Sequence, residues 1–389
     1  MKNILIIDNK GYGIPQLIQG MERMGWHTKI LEVDIQGKRK DVIVEEKLEI
    51  VLNQGNYDAV FSFNYYVLIA EFCHRKGLVY ISWVYDSPLV SLYSYTMIYD
   101  TNYVFLFDYM QYQELKNIGL KNVFHLPLAS NTFEMRRKLV RQTYAYQNEI
   151  SFVGNLYNDK RNNLYAKIEM VDSYTKGYID ALVDMQKKIY GSYILREGLS
   201  NSIVAELQKV CPYAEENAEG VETANYIYAD YFLARKVTQQ ERVEVLKRLS
   251  QKHPVTLYSG SKTSEIPEIK CSGKVDYYNE MPDIFRRSKI NLNISLKSIQ
   301  SGIPLRCMDI MGVGGFLVTN YQMEMEEYFS AGVHYDYYGS MEELEDKVEF
   351  YLKNEAIREK IAYDGYEIIK KEFNYQKQLG KIQKIVWNY

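Results

Sequence analysis

Residues 291–318 read NLNISLKSIQSGIPLRCMDIMGVGGFLV, and this stretch predicts a strand, a polar loop, a helix and a second strand. The run Ile290–Ile294 is rich in apolar and β-branched residues, whereas Ser298–Gly302 is a polar turn cluster. Pro304 is expected at the first position of the helix, because its missing N–H costs nothing there and its φ angle is already helical. A strand followed by a polar loop and a helix is typical of an α/β domain.

The start of this helix is a candidate anion site. Its first backbone amides have no partner within the helix and would point into the loop, where a phosphate can bind. Arg306 can donate two hydrogen bonds to phosphate oxygens, and Asp309 can accept one from a sugar hydroxyl. These residues form a candidate donor site for a nucleotide sugar. The alternative is an ordinary strand-loop-helix unit, since Gly312 and Gly314 are the usual helix-stopping residues of any α/β domain.

Length and composition place the chain among globular proteins with more than one domain. A chain of 389 residues is long for a single core, and 47% hydrophobic with 25% charged residues is a globular composition. The net charge of -3 gives no reason to expect nucleic acid as a partner. No run approaches the ~18 apolar residues of a membrane span, and the apolar run within Met1–Asn9 is too brief for a signal peptide. We expect a cytoplasmic protein without an integral membrane segment.

The tyrosine and cysteine contents are also informative. The 37 tyrosines suit a carbohydrate- or nucleotide-binding protein, although the codon bias of an AT-rich genome would produce the same excess. The cysteines lie far apart without metal-ligand spacing, so we expect reduced and mostly buried thiols. They are Cys73, Cys211, Cys271 and Cys307. The five histidines likewise show no ligand spacing, and we expect neither a metal nor a resident cofactor.

Strand-length apolar segments alternate with amphipathic helical segments, which predicts two doubly wound α/β domains with parallel sheets. We assign residues 1–140 to the first domain and residues 150–370 to the second. Residues 162–252 are overwhelmingly helical and longer than an ordinary crossover, so we interpret them as a helical insertion and assign them no chemistry. A final helix, Tyr366–Trp387, is expected to return to the first domain, with residues 371–389 forming the returning segment.

The first domain offers two candidate bases at strand ends. Asp86 lies in the segment Trp83–Pro88 and His125 follows a short strand, and ligands of open α/β sheets bind at such ends. Each has a structural alternative: Asp86 as a turn residue before a proline, and His125 as a hydrogen-bonded residue under a strand. The glycine turn Gly11–Gln16 lacks the third glycine of the dinucleotide fingerprint, which disfavours NAD binding.

The second domain contributes the remaining candidates. Backbone at Gly154, with Asn155 beside it, can approach a ligand closely, and the cations Lys160 and Arg161 can hold a diphosphate. Tyr278 can stack on a base, although a packing role is an equal alternative.

Several motifs together resemble the GT-B glycosyltransferases, and most closely the bacterial spore-maturation CgeB-like branch. The resemblance covers most of the chain outside the helical insertion, and no single motif carries it. The motifs are Trp83–Pro88, His125–Ala129, Phe152–Leu156 with Lys160 and Arg161, Ile290–Ser295, Gly302–Gly315 and Asn320–Gln322.

The resemblance implies that a sugar is transferred from a nucleoside diphosphate donor, with UDP-sugars favoured, to a protein or glycan acceptor. The second domain would hold the donor, and the acceptor would lie in the cleft that faces the first domain. Such enzymes need no metal when cations and helix amides stabilise the departing diphosphate. A catalytically silent nucleotide-sugar-binding protein of the same fold is the alternative.

The resemblance also implies roles for individual residues. Residues 302–306, including Gly302 and Ile303, would lie at the diphosphate, Asp309 at the ribose, and Lys160 or Arg161 at the leaving phosphate. Asn293 joins this substrate-binding set. Many retaining relatives carry two glutamates where this chain has Ser301 and Asp309, which leaves the stereochemical outcome open. Inversion would require a base, for which Asp86 ranks ahead of His125.

Overall fold

The computed structural model describes residues 1–35, 39–130, 145–159, 163–212 and 220–388. The chain divides into two compact units. Unit 1 comprises Met1–Ala129, a short segment ending at Glu222, and the C-terminal stretch that begins at Phe373. Unit 2 comprises the remainder, from Ser130 to Glu372.

Unit 1 is built on a six-stranded parallel sheet with the strand order β2-β1-β3-β4-β5-β6. The side chains from Ile4 to Ile7 are essentially inaccessible, as expected for a central strand covered on both faces. The strands are β1 (Asn3–Asp8), β2 (His27–Glu32), β3 (Ala59–Phe63), β4 (Val79–Val84), β5 (Asn102–Leu106) and β6 (Val123–His125). The strand order reverses direction between β1 and β3, so this is the topological switch point of the sheet.

The helices of unit 1 come from both ends of the chain. They are α1 (Ile14–Arg23), α2 (Val42–Leu52), α3 (Val67–Lys76) and α4 (Tyr109–Asn117), with short 3₁₀ turns at Val90–Tyr93 and Tyr95–Ile98. The last helix, Tyr375–Trp387, packs against α1 so closely that a Cβ atom at Gly20 would lie 2.9 Å from Leu379 Cδ1. Glycine at that position therefore permits the helix contact.

Unit 2 is built on a second parallel sheet of six strands with the order β12-β11-β10-β7-β8-β9. Its strands are β7 (Asn148–Val153), β8 (Val255–Tyr258), β9 (Lys270–Cys271), β10 (Ser288–Asn293), β11 (Leu317–Asn320) and β12 (Asp336–Tyr338). Here the order reverses between β7 and β10. The buried core of the sheet includes Phe152, Leu292 and Val318.

The chain between β7 and β8 is helical and has a hydrophobic cluster of its own, which includes Leu182, Leu207 and Val237. Its elements are a 3₁₀ turn (Leu164–Met170), α5 (Ser173–Lys188), α6 (Leu195–Gly198), α7 (Asn201–Val210), α8 (Ala224–Tyr226), a π turn (Ile227–Leu233) and α9 (Ala234–Ser250). The remaining helices are α10 (Met281–Arg286), α11 (Leu305–Gly312), α12 (Met323–Tyr328), α13 (Met341–Lys353), α14 (Glu355–Glu372) and α15 (Tyr375–Trp387).

Three expectations about helix ends are wrong. Helix α11 begins at Leu305 rather than at Pro304, which is the residue preceding the helix. The sequence predicts Asn320 as the cap of the helix that follows β11, but Asn320 does not cap α12, because its Oδ1 accepts a hydrogen bond from the Ser295 amide at 2.7 Å. The expected helix Tyr366–Trp387 is two helices, since α14 ends at Glu372 and α15 begins at Tyr375.

None of the helices in the described part of the chain is both long and apolar enough to cross a membrane. All four cysteines are free, and three are buried as expected, whereas Cys271 is exposed.

Candidate functional site

The carboxyl ends of β7 and β10, on either side of the switch point of unit 2, are joined by one arginine from α9. Arg242 donates from Nη1 to the carbonyl of Asn155 at 2.5 Å. It donates from Nε and Nη2 to the carbonyl of Ile294, at 3.1 and 2.5 Å. Its guanidinium also lies over the rings of Phe152 and Tyr157, at 5.3 and 4.9 Å. Arg242 therefore fixes the two loops between which ligands of such sheets bind.

Arg306 lies in the first turn of α11 and is half-buried. Its Nη1 contacts Met281 Sδ at 3.2 Å, and the guanidinium lies 5.7 Å from the ring centre of Phe285. Desolvation lowers the pKa of Arg306, the neighbouring charge of Arg242 lowers it further, and Asp309 acts in the opposite direction. The two guanidinium groups are thus close enough to repel each other.

Arg235 lies two turns before Arg242 on α9 and near Tyr157. Its Nη1 donates to the carbonyl of Tyr231 at 2.6 Å, while its buried Nε has no hydrogen-bond partner. Desolvation lowers the pKa of this guanidinium, and the neighbouring Tyr157 hydroxyl acts in the opposite direction. We call Arg235, Arg242 and Arg306 the arginine cluster.

The arginine cluster makes no ion pair within the described part of the chain, and Asp309 is the acid whose charge acts on Arg306. No carboxylate among the described residues lies within ion-pair distance of any of its three guanidinium groups. Charged groups that are largely withdrawn from water are normally paired, because removing an ion from water is costly. A cluster of this kind therefore favours an anionic ligand, and guanidinium groups match phosphate oxygens in geometry.

Hydrogen bonds between Ser301 and Glu324 hold the loop before α11 in place. Ser301, which is fully buried, donates its hydroxyl to Glu324 Oε1 at 2.7 Å and accepts the Glu324 amide at 3.2 Å through its carbonyl. Gly302 and Ile303 are buried as well. The Ser301 hydroxyl is thus used inside the unit. In the first turn of α11 the Cys307 amide donates to the carbonyl of Pro304 at 2.9 Å, which leaves the amides of Leu305 and Arg306 as the ones that can face a ligand.

Asp309 is buried in unit 2 with both carboxylate oxygens occupied. It is 3% exposed, and it accepts hydrogen bonds from the Tyr277 hydroxyl at 3.0 Å and from Ser130 Oγ at 3.4 Å. Desolvation raises the pKa of Asp309 to about 7, although the charge of Arg306 and the two hydrogen bonds oppose the rise. Tyr278 packs edge-on against Tyr277 with ring centres 5.0 Å apart, and its predicted stacking on a base stays a prediction.

The loop after β7 begins at Gly154, whose backbone lies close to the ring of Phe152. A Cβ atom at Gly154 would lie 3.1 Å from the ring of Phe152. Asn155 supports the same loop, since its Oδ1 accepts from the Tyr157 amide and from Ser261 Oγ at 3.2 Å. Lys160 and Arg161, which follow in sequence, lie outside the described residues.

Asn293, at the end of β10, has its side-chain amide engaged within the sheet. Its Nδ2 donates to Ser295 Oγ at 3.1 Å and to Thr319 Oγ1 at 3.0 Å. This predicted binding residue therefore aligns the ends of β10 and β11, and a ligand role for it stays a prediction.

In unit 1, Asp86 follows β4 and is held by Asn64, which follows β3. Asn64 adopts a left-handed φ of 61° and donates to Asp86 Oδ2 at 2.7 Å. Its Oδ1 accepts from the amides of Tyr85 and Asp86, at 2.9 and 3.1 Å. Although part of its surface is exposed, desolvation raises the pKa of Asp86, and the Asn64 bond opposes the rise. A raised pKa makes this carboxylate a stronger proton acceptor than an ordinary aspartate.

The two candidate bases, Asp86 and His125, do not follow adjacent strands of the sheet. His125 ends β6, and β5 lies between β6 and β4. Its ring packs edge-on against Tyr109, with centres 5.4 Å apart, and at a tilt to Tyr112 at 6.2 Å. Both tyrosines belong to α4, so the His125 ring packs against that helix, and its role as a base stays a prediction.

The glycine turn of unit 1 has a packing role. Gly13 has a φ of 94°, and a Cβ atom there would lie 2.8 Å from the hydroxyl of Tyr375 and 3.3 Å from the Phe63 ring. This close approach, together with the left-handed backbone, accounts for glycine at the position.

Three residues that shape these sites were not predicted from the sequence: Arg235, Arg242 and Asn64. The two arginines lie in the helical stretch that was assigned no chemistry, and their spacing of seven, two helical turns, was the available signal. Among the described residues, no group of three or more His, Cys, Asp or Glu side chains is arranged to hold a metal ion.

Comparison with known proteins supports one conclusion about the fold. A family model described as glycosyl transferase-like matches residues 212–384. A search of curated proteins finds no significant match. Three solved structures align over essentially the whole of both chains, at 9–10% sequence identity.

These are Anabaena Alr3699/HepE in complex with UDP-glucose (9% identity, TM-score 0.55), sucrose-phosphate synthase from Thermosynechococcus elongatus (9%, 0.55) and a glycosyltransferase from Rickettsia africae (10%, 0.51). Each alignment covers 100% of this chain and 99–100% of the other. The chain has a glycosyltransferase fold. The predicted GT-B class is confirmed, whereas the CgeB-like branch stays a prediction.

Proposed function

We propose that the chain transfers a sugar from a nucleoside diphosphate sugar to a protein or glycan acceptor without the aid of a metal ion. The arginine cluster at the switch point of unit 2 is the observation that carries this proposal. A diphosphate brings the negative charge that the cluster lacks, and sugar nucleotides are the donors used by proteins of this fold class. UDP-sugars are favoured because the structure of Anabaena HepE, which shares the fold, contains UDP-glucose.

In this proposal the diphosphate binds at the start of α11. Arg306 and the first amides of the helix contact the phosphates near Gly302 and Ile303, and Lys160 or Arg161 supplies further positive charge. Fixed cations and amides stabilise the charge that develops on the departing diphosphate, which is the role a metal plays elsewhere. Asp309 accepts a hydrogen bond from a hydroxyl of the ribose. This hydroxyl either replaces the Tyr277 hydroxyl as the donor or binds the carboxylate beside it.

The acceptor hydroxyl is activated in unit 1. Asp86 takes the proton from the hydroxyl, and Asn64 holds the carboxylate in place through Oδ2, so Oδ1 is the oxygen that acts. A base on the acceptor implies inversion at the transferred carbon. His125 is the second candidate for this role.

Nucleotide binding provides the first test. A ligand that binds only the folded state stabilises it by RT ln(1 + [L]/Kd), about 2.7 kcal/mol at a hundredfold excess over Kd. We expect UDP, or else GDP or dTDP, to raise the melting temperature and NAD to leave it unchanged. Arg306→Ala should abolish the shift, whereas Arg248→Ala, at an arginine of α9 that pairs with Glu345 on the surface, should not. A shift with NAD alone would refute the assignment.

Turnover distinguishes an enzyme from a silent binding protein. We expect the protein to hydrolyse at least one member of a panel of nucleotide sugars slowly, and Asp86→Asn to bind the nucleotide normally while losing transfer to an acceptor. Nucleotide binding without hydrolysis or transfer across the panel would favour the silent binding protein.

A further inference from the structure

Unit 2 contains a cavity of about 200 Å³ at the edge of its sheet where the strands begin. Ser288, the first residue of β10, lines it together with Gly314, just beyond the end of α11, and Arg358 of α14. The arginine cluster lies at the opposite edge, where β7 and β10 end. The cavity is therefore separate from the site described above.

Arg358 is a buried cation with unused hydrogen-bond donors. It is 1% exposed, and its Nη1 donates to the carbonyl of Tyr351 at 2.7 Å. Its Nε and Nη2 make no hydrogen bond. The nearest acid is Glu355, whose Oε2 lies 3.7 Å from Nη2 and whose side chain is 65% exposed. Donors that are buried without an acceptor cost free energy, so this arrangement calls for another partner.

Nε and Nη2 of Arg358, the two nitrogens that make no hydrogen bond, are arranged to bind two oxygens of one ligand. The Nε–H bond and one Nη2–H bond of a guanidinium point in the same direction and can bind two oxygens of a carboxylate or phosphate. Arg286 and Lys289 also line the cavity, and Lys289 pairs with Glu149 at 3.2 Å. Among the lining residues Glu359 is the one acid, and it accepts the hydroxyl of Tyr146 at 2.9 Å. The residues that line the cavity thus carry a net positive charge.

Aromatic rings supply the rest of the surface. Tyr146, Tyr363 and Tyr366 line the cavity and can pack against the face of a sugar or aromatic ring. Its volume is below the roughly 300–1,000 Å³ of pockets that hold drug-sized ligands, which limits the occupant to about one ring.

We propose that this cavity is a binding site for a small single-ring compound that carries a carboxylate or a phosphate monoester, with the oxyanion on Nε and Nη2 of Arg358. The Tyr146 ring lies 5.1 Å from the guanidinium and covers it. Binding turns this half-buried side chain aside. Tyr146→Phe removes the hydroxyl that bonds Glu359 and interacts with Arg358, so this variant should bind the ligand more tightly than the original protein.

Titration calorimetry with three probes tests the site. Inorganic phosphate represents the oxyanion alone, glucose 6-phosphate a sugar phosphate, and 4-hydroxybenzoate an aromatic carboxylate. We expect one ring probe to bind at least about tenfold more tightly than phosphate, because it adds contacts with the tyrosines. The binding should persist in Arg306→Gln, which excludes the arginine cluster as its source.

Two substitutions in the cavity test whether Arg358 and the tyrosine lining bind the ligand. Arg358→Met should weaken binding of the ring probe about tenfold or more, the loss expected for a charge-assisted pair of hydrogen bonds. Since Arg358 also bonds Tyr351, Tyr363→Ala at the exposed rim provides a second variant that spares that bond. Arg248→Met, on another surface of unit 2, is the matched control. Unchanged affinity in both Arg358→Met and Tyr363→Ala, or no binding of any probe, would overturn the proposal.

Discussion

At the scale of single residues, the buried carboxylate of Asp309 couples protonation to stability. Its pKa is raised to about 7 in the folded protein, mainly by desolvation, against a value of 3.8 for an ordinary aspartate. Between these two values the folded state holds a proton that the unfolded state has lost. The folded state therefore loses stability as the pH rises through this window, by up to about 1.4 kcal/mol per pH unit and ~4 kcal/mol in all.

We expect Asp309→Asn to remove this pH dependence. The variant should gain unfolding free energy relative to the original protein between pH 5 and pH 8, as measured by urea denaturation at each pH. Asp283→Asn, at a surface aspartate of α10 paired with Arg287, is the control and should show no comparable trend. A difference between Asp309→Asn and the original protein that stays constant from pH 5 to pH 8 would show that Asp309 does not titrate in this range.

At the scale of secondary-structure elements, α9 holds two strand ends in place through one side chain. Arg242 satisfies the carbonyls of Asn155 and Ile294, and unsatisfied buried carbonyls cost about 1–3 kcal/mol each. We expect Arg242→Met to lower the unfolding free energy by about 2–5 kcal/mol. On the proposed function it should also weaken UDP binding about tenfold or more, because the loops at the switch point lose their alignment.

The same helix provides the control for this experiment. Arg248→Met removes a partly exposed arginine that pairs with Glu345 at 2.7 Å, and ion pairs near the surface contribute about 1 kcal/mol or less. Arg242→Lys keeps the charge and one donor direction, so it should restore part of both losses. If Arg242→Met lost stability yet bound UDP with unchanged affinity well below its melting temperature, Arg242 would stabilise the fold without positioning the site.

The elements themselves were largely predictable because parallel strands buried on both faces leave a strong apolar signal. The continuous apolar run Asn3–Ile7 predicts a buried strand, as does Ile290–Ile294, and both lie in internal strands of their sheets. Helix ends were less predictable, although a signal existed. Asn374 accepts the Lys377 amide at 2.9 Å and so starts α15 inside the segment predicted as one continuous helix.

The hydrogen-bond partners that hold the candidate site in place were harder to predict from the sequence than the strands and helices. Arg242 contacts carbonyls 87 and 52 residues away, and the partners are backbone atoms that carry no residue signature. Likewise, Asn64 and Asp86 are 22 residues apart, and the pairing of β3 with β4 brings them together. Local patterns identify Arg306 and Asp86 as candidates, but only the strand order reveals their partners.

At the scale of the whole molecule, each unit has its own sheet, and the carboxyl ends of the strands carry different chemistry in the two units. Unit 2 presents the arginine cluster, and unit 1 presents a carboxylate held by an asparagine. If the proposed division of labour is right, a nucleotide should bind to unit 2 alone. Hydrogen exchange can test this unit by unit, because each amide reports on its own surroundings.

We expect saturating UDP to slow exchange at the amides that follow β7, those that follow β10, and those of Leu305 and Arg306 in α11. Exchange from Asn64 to Asp86 in unit 1 should be unaffected, because the fixed cations that favour a diphosphate lie in unit 2. Arg306→Ala should abolish the protection at all three places in unit 2. Protection of residues 11–16, at the glycine turn of unit 1, would instead place the nucleotide on the first sheet and reverse the proposed roles of the two units.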